Sequence, residues 1–275
     1  MHWAFDLTTE DILALEENPK KFLKKKGKNE VTIRTLSDKE RENLRSAKMS
    51  EAKSWVENEV IKKAGKPISE KCMKLRWVIT WKTLDDGSRG LKARLVVLGY
   101  QDPTLGEVEC SAPTMQRRTR GLFIQQCVER RWTLVKGDVK KAFLQGRPFE
   151  EHLEKLIEPV PELCEALDMK EMEAVRLNKA AYGLAEAPLR WYQTCHEEFT
   201  KCGGRRLLSD ECAWVFTTPS GEVYGAIVGH VDDFVMAGNA SDPRWMTVMG
   251  ALKKKWTFGS WETLTTSSPG PVRSI

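Results

Sequence analysis

The sequence predicts an α+β protein, an antiparallel sheet backed by helices. Three observations carry this expectation. The text changes near Leu75 from helical spacing to β-branched and aromatic runs. Several of those runs are separated by short turn signals, as hairpins are. Two segments with helical periodicity, Thr114 to Arg131 and Gly183 to Cys202, are interleaved with them.

The elements follow in order. Thr8 and Asp11 resemble a helix start, and a run of lysines from Lys20 to Lys28 reads as a solvated basic face or linker. Ser37, with Glu40 three residues on, forms a capping box. Leu44, Ala47, Trp55, Val56 and Val60 give that helix its apolar side, and Gly65 is expected to stop it. Trp77 to Trp81 and Ala93 to Leu98 are strands joined through the turn Asp85-Asp86-Gly87-Ser88. They form a ribbon with Lys92 and Arg94 near its base.

In the helix Thr114–Arg131, Met115, Leu122, Phe123 and Cys127 point inward. Thr133 to Val139 is a strand, followed by a turn or short helix ending at Gly146. The second long helix has Pro188 in its first turn, Tyr192, Cys195 and Phe199 on one side, and Gly203-Gly204 as its stop. Ala213 to Thr217 is a strand, Pro219-Ser220-Gly221 a turn, and Val223 to Val235 a strand pair bent at its middle. A further element begins between Leu252 and Phe258. After Glu262 the text turns to Thr, Ser, Pro and Gly, which builds no core.

The chain has 275 residues, enough for two modest subdomains. A net charge of +5 permits a polyanionic partner without requiring one. The seven cysteines are irregularly spaced and include no C-x-x-C pair, so neither a disulfide framework nor a zinc ribbon is expected. Cys195, His196, Cys202 and Cys212 match no standard ligand spacing and read as core or surface groups. No signal peptide opens the chain and no stretch is long and apolar enough for a bilayer, so an intracellular protein is expected.

Paired aspartates occur twice. Asp85-Asp86 sits between polar strand ends and reads as turn chemistry. Asp232-Asp233 interrupts an apolar text, Tyr224 to Val231 before it and Phe234 to Gly238 after it. Two like charges at the junction of two half-buried strands are unfavourable unless a cation offsets them. A divalent ion such as Mg²⁺ is the common solution; a solvated tight turn is the alternative. Asp138 ends the strand Leu134 to Val139. If its strand neighbours that of Asp232, the carboxylates can share metals, the arrangement for in-line phosphoryl transfer.

Four motifs in order, with matching intervals, resemble the reverse transcriptase domain of copia-type retrotransposons. They are Lys92-Ala93-Arg94-Leu95-Val96, then Asp138 to Gly146, then Leu177 to Leu184 with Ala187-Pro188 and Trp191-Tyr192, then Val231-Asp232-Asp233. The similarity covers Met49 to Trp261. It implies the fingers and antiparallel palm of a right-hand polymerase over residues 49–262, with residues 1–48 a polar helical extension and residues 263–275 a tail. The thumb and ribonuclease H domain are expected to be absent.

The resemblance further implies catalytic and metal-holding roles for Asp138, Asp232 and Asp233, with Mg²⁺ or Mn²⁺ as cofactor. Phe143 would be the steric gate against a ribose 2′-hydroxyl. Lys92 and Arg94 would reach the triphosphate, Tyr182 and Gly183 would line the nucleotide side, and His230 would stand on the primer side. The partners implied are an RNA or DNA template-primer and deoxynucleoside triphosphates; oligomeric state stays open.

Four residues at three places depart from the family pattern: His230 for Tyr, Ala185-Glu186 for Lys-Gln, and Leu98 for the Lys of Lys-Gly. Glu186 is expected to add an anion where nucleic acid should lie. Two further readings stand beside the polymerase: a truncated, inactive relic, and a module that binds nucleic acid without catalysis.

Overall fold

The computed structural model describes residues 30–84 and 87–264. The expectations for Thr8 to Lys28, for Asp85-Asp86 and for the tail beyond residue 264 lie outside those residues. The elements are α1 (Asp38–Glu57), β1 (Ile61–Lys63), β2 (Leu75–Thr83), β3 (Arg89–Val97), α2 (Arg117–Glu129), β4 (Thr133–Val139), β5 (Lys155–Ile157), α3 (Pro161–Ala166), β6 (Val175–Leu177), α4 (Ala187–Lys201), β7 (Gly204–Arg206), β8 (Ala213–Thr217), β9 (Val223–His230), β10 (Asp233–Gly238), α5 (Pro243–Lys255) and β11 (Phe258–Leu264). Short 3-10 turns occupy Ile33–Thr35, Gly99–Gln101 and Ala142–Gln145. Among the described residues no helix is long and apolar enough to cross a membrane.

The chain forms two compact units. The first takes the described residues up to Glu57, then Lys62–Leu98 and Leu156–Arg176. Its helix α1 starts at the expected capping box: the Ser37 N–H donates to Glu40 Oε2 at 2.8 Å, and the Glu40 N–H points back to Ser37 Oγ at 3.4 Å. The stop differs from expectation. The helix ends at Glu57, Glu59 takes the left-handed conformation (φ 53°), and Gly65 lies beyond β1.

Leu44 of α1 packs with Leu36 and with Ile79, Leu91 and Ala93; alternation places the last three on one face of the β2–β3 ribbon. The ribbon's register sets Lys92 opposite Thr80 and Arg94 opposite Val78, flanking the central pair Ile79 and Ala93. Both cations are therefore exposed at mid-ribbon, not near its base. A three-stranded sheet, ordered β1-β6-β5, completes the strands described outside the ribbon and the large sheet.

The second unit holds Asn58–Ile61, Gly99–Lys155 and the described residues from Leu177 onward. Its six strands run in the order β11-β4-β10-β9-β8-β7, every neighbour antiparallel. Helices cover both faces, where the sequence suggested one. Phe123 and Cys127 of α2 pack on Ala213, Ala226, Val228 and Ala237. The alternate residues face the other way: Trp214 and Phe234 meet Phe199 of α4 at 4.8 and 5.4 Å between ring centroids, and Phe216 meets Trp245 of α5 at 5.6 Å. Leu122, expected inward, is 63% exposed: it precedes Phe123 by one residue, which turns it about 100° away from the sheet.

The stretch from Leu252 to Phe258 does lead into a further element, β11. It is the end of α5, a linker carrying buried Trp256, and the first residue of β11. β11 runs on to Leu264, past the point where the sequence suggested structure would end. It pairs with β4, so β4 lies inside the sheet with β10 on its other side.

Candidate active site

The strand of Asp138 and the strand after Asp232 are neighbours. In the β4–β10 register Asp138 is the direct partner of Asp233, and the Val139 N–H donates to the Asp232 carbonyl at 3.0 Å. Residues directly opposite in an antiparallel pair share a face, so the Asp138 and Asp233 side chains emerge on the same side of the sheet. That is the side covered further along by α2, since Val235 and Ala237 follow Asp233 at even spacing. Lys136, two residues before Asp138 on the same face, lies 3.9 Å from Asp233 Oδ1. Both partners are about half exposed, so solvent screens the pair heavily.

Sequence chemistry explains the placement. Val135, Gly137 and Val139 alternate inward along β4, which leaves Lys136 and Asp138 on the opposite face. On the neighbouring strand β11, Gly259 clears space: a β-carbon there would lie 2.8 Å from Asp138 Oδ2. Between β9 and β10 the chain turns through Val231 and Asp232. Val231 sits in the left-handed region (φ 57°), an unfavourable place for a β-branched side chain. Its carbonyl accepts a hydrogen bond from Trp191 Nε1 at 2.6 Å. His230 is paired with Asp233 across the hairpin.

Among the described residues no three His, Cys, Asp or Glu side chains converge tightly enough to form a metal cage. Mg²⁺ is usually held by one or two carboxylates together with substrate phosphates and water. The donor chemistry of Asp138, Asp232 and Asp233 fits an ion completed in that way.

The other residues that the motifs singled out fall into two groups. Phe143 and Tyr182 meet edge to face at 5.4 Å, and Gly183 follows with φ 95°. Gly99 packs so closely on this turn that a β-carbon on it would stand 2.2 Å from the Gly183 carbonyl oxygen. Lys92 and Arg94 stand on the ribbon of the other unit.

Glu186 does not add a solvent-facing anion. It is buried, 3% exposed, with Oε1 at 3.0 Å from Lys155 Nζ and Oε2 at 2.9 Å from Arg190 Nε. Lys155, itself buried, also holds Asp102 Oδ2 at 2.5 Å, and Arg190 reaches Glu150 at 2.9 Å. A charge pattern read along the chain could not reveal partners as far off as Lys155 and Asp102. Cys195 and Cys212 are also buried, and burial pushes both thiols up, Cys212 to about 12. They are protonated core groups; His196 Nδ1 accepts from Trp214 Nε1 at 3.1 Å.

Residues 58–258 match the family model described as reverse transcriptase (RNA-dependent DNA polymerase). The chain belongs to the reverse transcriptase family. It is similar to the Retrovirus-related Pol polyproteins from transposons RE2 and RE1 of Arabidopsis thaliana, each 32% identical over 167 residues, covering 60% of this chain and 11% of the relative. A third relative, the Retrovirus-related Pol polyprotein from transposon TNT 1-94 of Nicotiana tabacum, is 29% identical over 208 residues, 74% of this chain and 15% of its own length. The chain thus spans a small part of the length of these curated relatives. The findings bear out the resemblance to copia-type reverse transcriptases drawn from the motifs.

Proposed function

We propose that this reverse transcriptase domain extends a primer on an RNA or DNA template with deoxynucleoside triphosphates, and that Asp138 and Asp232 hold the divalent ions, with Asp233 beside them. One observation carries the reading: the β4–β10 register sets Asp138 across from Asp233, with Asp232 adjoining, at the end of two adjacent strands. Mg²⁺ or Mn²⁺ bound there would ease deprotonation of the primer 3′-hydroxyl and neutralise charge on the leaving pyrophosphate. Phe143, its ring set against Tyr182, would exclude a ribose 2′-hydroxyl. Gly183 would let the nucleotide approach its backbone, His230 would meet the primer end, and Lys92 and Arg94 would oppose triphosphate charge.

The test is extension of oligo(dT) on poly(rA) with Mg²⁺ and separately Mn²⁺, beside an Asp138→Asn control. Extension by the parent and not by the control supports the reading; no extension by a folded parent overturns it. The second reading, nucleic-acid binding without catalysis, is favoured by Lys136, a half-exposed cation beside the aspartates that would meet a phosphate directly. It expects magnesium-independent binding with a steep salt dependence that survives Asp232→Asn.

A further inference from the structure

The turn that presents Asp232 is held from behind. Trp191 belongs to the first half of α4, and its ring is 1% exposed. It leans on Trp256 at 5.3 Å between centroids, and Trp256 in turn stacks on Phe234, the residue just after Asp233. From this aromatic wall Trp191 Nε1 reaches the turn, donating to the Val231 carbonyl at 2.6 Å. Trp256 Nε1 is buried without a hydrogen-bond partner.

The direction in which the Asp232 side chain leaves the backbone depends on the two peptide planes flanking its α-carbon. One plane contains the Val231 carbonyl, fixed by Trp191. The other contains the Asp232 carbonyl, fixed by the Val139 N–H at 3.0 Å. Val231 is held at φ 57°, a conformation that persists for such a residue only where its surroundings over-determine it. With both planes pinned, the Cα–Cβ bond of Asp232 is aimed before substrate arrives, which limits where its carboxylate can stand, and such preorganisation is what electrostatic catalysis requires.

We infer that Trp191 is a positioning residue of the polymerase centre: its indole N–H, through the Val231 carbonyl, sets the aim of the Asp232 carboxylate. The inference rests on the polymerase reading above, but the placement of the turn can be read without activity. Amide exchange at Val139, the donor to Asp232, reports that placement directly.

The experiment compares Trp191→Phe with Trp256→Phe, which trims an equivalent ring of the same wall without losing a hydrogen bond. In Trp191→Phe, Val139 exchange should rise about tenfold, the effect of losing one supporting hydrogen bond, and should stay near the parent value in Trp256→Phe. In primer extension, Trp191→Phe should lower kcat about tenfold with KM for dTTP within about twofold, the split expected when only transition-state alignment is lost. Benzothienylalanine at position 191, which keeps the bicycle and replaces N–H by sulfur, should behave as Trp191→Phe does and serves if that variant does not fold. Val139 exchange no faster than in Trp256→Phe overturns the inference, as does faster exchange with unchanged kcat. A parent that extends no primer overturns the polymerase reading alone; Val139 exchange then still decides the role of Trp191.

Discussion

Asp138 and Asp233 face each other as direct partners across β4 and β10, with Lys136 Nζ 3.9 Å from Asp233 Oδ1. Like charges directly opposite in a sheet destabilise it. Asp138→Asn should therefore raise stability by about 1 kcal/mol, or about 2–4 °C in melting temperature, when measured without divalent ions. Added Mg²⁺ should raise the melting temperature of the parent and leave that of the variant nearly unchanged. A variant that melts below the parent would show that the opposed carboxylates are not under strain.

Gly99 carries a steric demand that follows from its contact with the Gly183 carbonyl. The obstructing atom is backbone, so no side chain can swing aside. Gly99→Ala should destabilise by about 1–3 kcal/mol, the usual range for overpacking, read as a lower urea midpoint at unchanged slope. It should also disturb the turn that follows Tyr182, raising KM for deoxynucleotides. Parent-like stability would mean that the two segments part easily.

Lys155 joins two buried carboxylates, Asp102 and Glu186, with its side chain 2% and theirs 4% exposed. Removing one partner of such a set leaves buried charge uncompensated. Lys155→Met should cost about 3–5 kcal/mol by urea unfolding, far more than Lys201→Met, whose own side chain is 65% exposed. Equal losses at the two sites would contradict a buried network.

Acid should loosen the same network. Burial pushes the Asp102 carboxyl up, but hydrogen bonds from Lys155 and from Thr104 outweigh it and hold the group below its ordinary 3.8. A carboxyl with a depressed value in the folded state stabilises fully above its unfolded value, and that stabilisation fades as pH falls through the folded one. Asp102→Asn should thus be less stable than the parent at pH 7, with the gap narrowing below about pH 4. Melting curves of both proteins across that range give the answer, and a gap independent of pH would refute it.

Much of this was readable along the chain, for identifiable reasons. β4 and β8 fall on the expected bounds because alternation and flanking turn residues specify a strand locally. The neighbourhood of Asp138 and Asp232 was an open condition in the sequence and is settled by hydrogen bonding between strands 94 residues apart in number. Helix α5 was missed although its signals were present: Asp242 caps it by accepting from the Arg244 N–H, Pro243 opens it, and Trp245, Val248, Met249 and Leu252 form its buried stripe. The short strands β5 and β6 show no local period and owe their form to pairing. The roles of Gly99 and of Trp191 depend on what approaches them from elsewhere, which no local pattern encodes.

The empty corner beside Gly259 has a genetic consequence. Each single-base change that replaces this glycine by another amino acid installs a β-carbon against Asp138 Oδ2, 2.8 Å away if nothing moved. The carboxylate would have to turn aside while the sheet behind it stayed assembled. On the polymerase proposal, such a copy is expected to lose primer extension with every aspartate codon of the site intact. Scanning copies for carboxylate codons alone would, on that proposal, overcount those able to extend a primer.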